Sequence, residues 1–167
     1  MNINFTFQMM LAVGVLFSVI ATGFILLFAI VVMPGIGKLE DRAFLKAFQL
    51  TDSLIQNNQP LFMIVWLGSP LFMIGATFLG ATQLYNVWRI LLFIATAVNI
   101  FGVQLPTFIF NIPLNNRLQS LNLDKLSEAS LSDERLQFEA SWNRWNNFRT
   151  LFAFVTSSLL MTVLINT

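Results

Sequence analysis

The densest grouping of side chains able to do chemistry lies within Phe138–Thr150, where Glu139, Trp142, Asn143, Trp145, Asn146 and Arg149 stand close together. Trp142, Asn146 and Arg149 are spaced i, i+4 and i+7, so a helix there presents an indole, an amide and a guanidinium on one face. Such a face can hold an aromatic or anionic ligand by stacking and forked hydrogen bonding. Interfacial anchoring competes with that reading, because Trp at a membrane boundary and an Arg snorkelling toward headgroups need no ligand. Two amides beside one guanidinium exceed what anchoring requires, which favours a buried polar network for Asn146 and Arg149.

Two further groupings follow. Asn111, Pro113, Leu114, Asn115, Asn116 and Arg117 form a run in which the amides either orient a ligand's oxygens or satisfy backbone groups freed where Pro113 stops a helix. Gln49, Asp52, Gln56 and Asn57 lie in an amphipathic stretch, with Gln49, Asp52 and Gln56 at i, i+3 and i+7. A solvated polar face explains that spacing. If the stretch folds onto the mouth of a bundle instead, desolvation raises the Asp52 pKa and makes it a candidate general base.

What is absent narrows the chemistry. The chain has no Cys and no His, which removes thiolate and imidazole ligands, disulfide relays and the usual neutral-pH proton shuttle. No metal site and no cofactor are expected: the acids Glu40, Asp41, Asp124, Glu128, Asp133, Glu134 and Glu139 fall mostly outside the apolar segments, and no phosphate-binding loop, nucleophile elbow or dinucleotide fingerprint occurs. A net charge of +1 without a basic stripe excludes nucleic acid as a partner.

The elements that must position these residues are membrane spans. Of 167 residues, 56% are apolar and only 10% charged, with a mean hydropathy of +0.73, against roughly a quarter charged in a soluble domain. A span needs about 20 mainly apolar residues, and four charge-free intervals supply them: Met1 to Gly37, Ser53 to Trp88, Ile90 to Asn116 and Thr150 to Thr167. The expected architecture is all-α, a single integral-membrane unit over 1–167: a four-helix antiparallel bundle with spans at about 7–33, 60–83, 88–112 and 146–166 and amphipathic helical connections over 38–59 and 114–146 on one side. The first span is too long for a signal peptide's apolar region and lacks its basic start, so it is read as retained. Pro70 predicts a bend near Trp66. Ser130 and Asp133 form a capping-box pattern for a helix running on into the fourth span, where Arg149 would snorkel. Gln8, Asn99 and Gln104 are expected to bond between helices. Eight of the nine basic residues lie in or beside the two connections and only Arg89 lies opposite, so the connections should be cytoplasmic and both termini outside.

Four motifs taken together resemble a family: Phe48-Gln49 with Asp52 and Ile55-Gln56-Asn57; Trp66 with Gly68-Ser69; Asn111-Ile112-Pro113-Leu114-Asn115-Asn116-Arg117-Leu118; and Trp142-Asn143 with Trp145-Asn146 and Arg149-Thr150. Along nearly its whole length the chain resembles the anthrone-oxygenase-like integral membrane proteins, small four-span proteins of which a fungal branch oxidises polyketide anthrones to anthraquinones without metal or flavin. The resemblance implies a cofactor-independent oxygenase acting on, or binding, a lipophilic aromatic in the bilayer. The resemblance supplies the motif positions and not their roles; for such chemistry we expect Asp52 to serve as base, Asn115, Asn146 and Arg149 to hold phenolate oxygens, Trp142 and Trp66 to stack on rings, and Gln49, Gln56, Asn57, Asn111 and Asn116 to complete the ligand-binding set. The rival reading is a non-enzymatic membrane protein that binds a lipid or hydrophobic ligand, or packs against a partner subunit or second copy through the same residues. A transporter is disfavoured, because no acid lies within the spans and no inverted repeat is evident.

Overall fold

The computed structural model describes residues 4–167. The first three residues of the opening charge-free interval lie outside the described residues. Five helices carry the fold: α1 (Phe5–Ile36), α2 (Asp41–Gln56), α3 (Pro60–Gln83), α4 (Asn86–Gln119) and α5 (Glu128–Ile165), with one 3-10 turn at Leu123–Lys125 before α5. All but α2 are long and apolar enough to cross a membrane. These four form an antiparallel ring in which α1 packs on α3 and α5, while α4 packs on α5 and on part of α3. Large apolar side chains such as Phe78, Phe101 and Leu151 point outward and stay exposed, as a lipid-facing surface requires.

Hydrophobic burial against lipid drives little association between spans, so close packing and hydroxyl bonds must hold them. At Gly102 an added Cβ would lie 2.5 Å from the Phe152 ring, a contact only glycine permits. Ser157 Oγ lies 2.9 Å from Thr22 Oγ1 and 3.1 Å from Ser18 Oγ, joining α1 to α5, and Thr77 and Thr96 hydroxyls meet at 2.6 Å between α3 and α4. The amides expected in this role do not fill it. Gln104 donates to Asn99 within α4 itself, and Gln8 is exposed.

Prolines shape the helices in an unforeseen way. Three π-helical turns, Phe28–Val32, Ile100–Gln104 and Thr107–Asn111, each end two residues before a proline, at Pro34, Pro106 and Pro113. A proline ring collides with the carbonyl four residues back. Those carbonyls belong to Ile30, Gly102 and Ile109, each inside a π turn whose wider register makes room for the ring. Pro113 therefore does not stop the third span: α4 continues to Gln119. Pro70 has no such turn before it, and α3 runs through it uninterrupted.

At one end of the ring, α2 lies across the mouth. Phe44, Leu45 and Phe48 are buried there with Phe138 and Trp142 of α5 and Leu118 of α4. Arg135 clamps the entry to α2, donating to the carbonyls of Gly37 and Leu39 at 2.7 Å each and pairing with Asp41 and Glu139. The helix that follows begins earlier than the expected capping box: Ser127 is the N-cap, its hydroxyl accepting from Ser130 N–H at 3.2 Å. From there α5 is a single helix of 38 residues reaching the far end of the bundle.

Candidate functional site

Between α2 and the bundle centre lies a cavity of about 230 Å³ lined by residues of all five helices. Its polar lining comes from two stripes and from Asp52 of α2. On α4, Thr107, Asn111 and Asn115 stand four residues apart and all face the cavity, with Gln119 continuing the stripe beneath α2. On α5, Trp142, Asn146 and Arg149 line the opposite wall, as their spacing predicts. Apolar walls are supplied by rings, among them Phe24, Phe28, Phe48, Phe62 and Trp66.

One pole is cationic. Arg149 is 6% exposed and turned inward, so it does not snorkel; within a lipid-surrounded bundle the inward face is where its donors find acceptors. Its Nη1 donates to Thr107 Oγ1 at 2.9 Å and its Nη2 to Asn146 Oδ1 at 2.8 Å, while Asn146 Nδ2 donates to the Ile25 carbonyl at 3.2 Å. No described carboxylate lies within ion-pairing distance of it, and its Nε has no partner. An unpaired guanidinium out of water is costly unless an anion joins it.

The other pole is acidic. Asp52 continues the buried stripe of Phe44 and Phe48 at four-residue spacing and is 2% exposed, so the solvated-face reading does not hold. Its Oδ1 accepts from Asn115 Nδ2 at 2.7 Å, and its Oδ2 accepts from Gln56 Nε2 at 2.7 Å and from Gln119 Nε2 at 3.0 Å. Burial raises its pKa above the ordinary 3.8, outweighing the three hydrogen bonds that lower it. A carboxylate has about four acceptor positions; three are occupied, which leaves room for one more proton donor from the cavity. Asn115 is held at both ends, because Trp142 Nε1 donates to its Oδ1 at 2.8 Å while its amide nitrogen faces Asp52.

Between the poles sits Asn111, 2% exposed, with neither amide atom bonded. The π turn Thr107–Asn111 presents it there, and π turns recur at functional sites. A buried amide missing both its donor and acceptor partners is destabilising by about 1–3 kcal/mol for each group.

The comparison with protein families falls on these elements. A family described as anthrone oxygenase matches residues 62–159, from the start of α3 nearly to the end of α5. The chain belongs to the anthrone oxygenase family. No curated protein and no solved structure matches it. The family match takes in Trp66, Asn111, Asn115, Asn116, Trp142, Asn146 and Arg149 and begins after α2, so it is shorter than the motif resemblance, and Asp52 lies outside the matched residues though inside the cavity.

Of the residues singled out in the sequence of this anthrone oxygenase family member, Asp52, Trp66, Asn111, Asn115, Trp142, Asn146 and Arg149 line the one cavity. Gln49, Gln56, Asn57 and Asn116 do not. Gln49 donates to the Leu118 and Leu121 carbonyls and pins α2 to the end of α4. Gln56 reaches Asp52 from the exposed side and also contacts Asn116 at 3.3 Å, and Asn57 caps α2. Trp142 is buried rather than interfacial, and Trp145 stacks on Phe110 of α4 at 3.5 Å between centroids. Thr107, Gln119 and the phenylalanine walls are additions; the four-residue spacing of Thr107, Asn111, Asn115 and Gln119 was the available signal for the first two.

Proposed function

We propose that this protein is a membrane-embedded oxygenase that takes up a lipophilic aromatic carrying a doubly benzylic methylene acidified by conjugation to a carbonyl across the ring, as an anthrone does, and oxidises that carbon to a second carbonyl. The observation that carries the reading is the pairing, within one ring-lined cavity, of a buried carboxylate with a buried guanidinium that lacks a counter-ion and an amide with both bonds unmade. A neutral apolar lipid would leave Arg149 without a counter-ion and Asn111 without partners. A substrate that becomes an oxyanion during reaction satisfies Arg149 and Asn111 when the charge develops.

The sequence of steps balances with dioxygen as the oxidant. A methylene proton passes to Asp52, and the resulting enolate is held by Arg149 and Asn111. Dioxygen accepts electrons from the carbanion carbon, a C–O bond forms, and the peroxide takes up the proton from Asp52. Loss of the second C–H proton with cleavage of the O–O bond releases water and leaves the carbonyl, so one oxygen atom ends in the quinone and one in water. Trp66 and the phenylalanines hold the rings by stacking and exclude bulk water.

The test is oxygen uptake and anthraquinone formation from anthrone by the purified protein in lipid nanodiscs, with spontaneous oxidation subtracted. The wild type is expected to exceed the protein-free rate, and Asp52→Asn to fall at least about 100-fold, the usual loss with a general base. Uptake equal to empty nanodiscs would favour the rival reading, a carrier or binding protein.

A further inference from the structure

The cavity has an open side. Away from α2, α3 and α4 are joined directly through Thr77 and Thr96. Toward α2 they part: α3 packs on the Asn86–Asn99 portion of α4, whereas the two π turns of α4 and its final segment, Ile112–Gln119, make no more than marginal contact with it. The gap falls where both helices line the cavity. Leu67 of α3 and Phe108 of α4 line it and yet are 47% and 58% exposed, so each side chain faces the cavity on one side and the bundle's lipid-facing surface on the other. Phe62, Met63 and Ile112 complete an apolar rim.

The face toward α2 is covered. Phe44, Leu45 and Phe48 of α2 pack over the mouth, and behind them Asp52 is tied to Asn115, Gln119 and Gln56. Reaching the cavity from water through that face requires displacing α2 and breaking the three bonds to the carboxylate.

We propose that the gap between α3 and α4 is a lateral doorway joining the cavity to the hydrocarbon of the leaflet on the α2 side, and that a phospholipid acyl chain occupies it when no other ligand does. The rim offers no polar group to a lipid headgroup, so the matching part of a lipid is its chain. A space of about 230 Å³ exceeds the ~150 Å³ apolar cavity that takes up benzene, and its ring-lined apolar part, open toward hydrocarbon, takes up hydrocarbon. The doorway stands whether or not the cavity turns over a substrate, and a lipophilic substrate dissolved in the bilayer would use the same passage.

Photolabelling tests it without any activity assay. The protein is reconstituted into phosphatidylcholine vesicles containing phosphatidylcholine with an alkyl diazirine at one chain end, irradiated, and its adducts mapped by mass spectrometry. Adducts are expected on Ile25, Asn146 and Ala153, which are 4%, 1% and 3% exposed and lie on α1 and α5, across the cavity or beside it. No lipid outside the bundle can touch them. The variant Leu67→Trp/Phe108→Trp, which narrows the rim, should lower these adducts at least fivefold while labelling of outward Phe78 and Leu16 stays unchanged and reports an intact fold. Adducts confined to outward residues would overturn the doorway, as would buried adducts that persist undiminished in the narrowed variant whose outward labelling is normal.

Discussion

Asn111 and Arg149 are buried at a loss to stability, and that makes them the sharpest tests. Replacing Asn111 by Leu removes two unmet hydrogen-bonding groups from an apolar setting, so detergent-solubilised Asn111→Leu is expected to be about 1–2 kcal/mol more stable by thermal unfolding. The same change should cut anthrone oxidation at least about tenfold, since one donor to a developing oxyanion is commonly worth that much or more. A stability loss with activity intact would assign Asn111 to packing. Asp52 carries a pH signature. Because burial raises its pKa above 3.8, the native state keeps the proton to higher pH than the unfolded chain does. Its contribution to stability therefore falls as pH rises from the ordinary value through the raised one, with the full loss present above the latter. Asp52→Asn abolishes that slope, so the melting-temperature difference between variant and wild type should shift in the variant's favour from acid toward neutral pH. Turnover in the wild type should rise across the same window as the base ionises.

At the scale of elements, the three proline-linked π turns place the site. Pro113 forces the wide turn that brings Thr107 to Arg149 and Asn111 to the cavity. Pro113→Ala restores an N–H donor and removes the ring, so α4 is expected to relax toward regular helix and turn Asn111 off the cavity. Melting temperature should hold or rise while anthrone turnover drops at least about tenfold, because misplacing a catalytic contact by an ångström is that costly. Glycines give a paired check. Gly102→Ala drives a Cβ into the Phe152 ring at 2.5 Å and should destabilise by about 1–3 kcal/mol. Gly23→Ala meets nothing within 4 Å and should be neutral or stabilising by up to about 1 kcal/mol through helix propensity.

For the molecule as a whole, charge asymmetry orients what the fold leaves undirected. Lys38, Arg42 and Lys46 precede or lie on α2, Arg117, Lys125, Arg135 and Arg144 lie at the same end, and Arg89 alone lies near the far turn. A C-terminal reporter at Thr167 should accordingly be active outside the cytoplasm and silent within it; fluorescence of a cytoplasm-only reporter there would reverse the orientation. The polar-network assignment for Asn146 and Arg149 was readable from the residues, because two amides beside one guanidinium exceed what anchoring needs, whereas the place of Arg149 at the edge of a charge-free interval pointed to snorkelling, which the fold overturns. The turning of Asp52 inward was not, since a solvated amphipathic helix and one laid across a bundle share the same 3.6-residue pattern.

Sequence by itself determined the spans, their number, the helical state of both connections and the i, i+4, i+7 face of Trp142, Asn146 and Arg149. These follow from hydropathy and helical period, which act within a single segment. Only the tertiary structure decided that this face meets the Thr107, Asn111 and Asn115 stripe across a shared cavity, and that Gln49, Asn57 and Asn116 serve elsewhere. It also decided that π turns keep α4 continuous past Pro113. Each of these depends on the register between helices, which small-residue contacts and hydroxyl pairs set across long separations in the chain, such as Thr22 with Ser157 and Asn115 with Asp52.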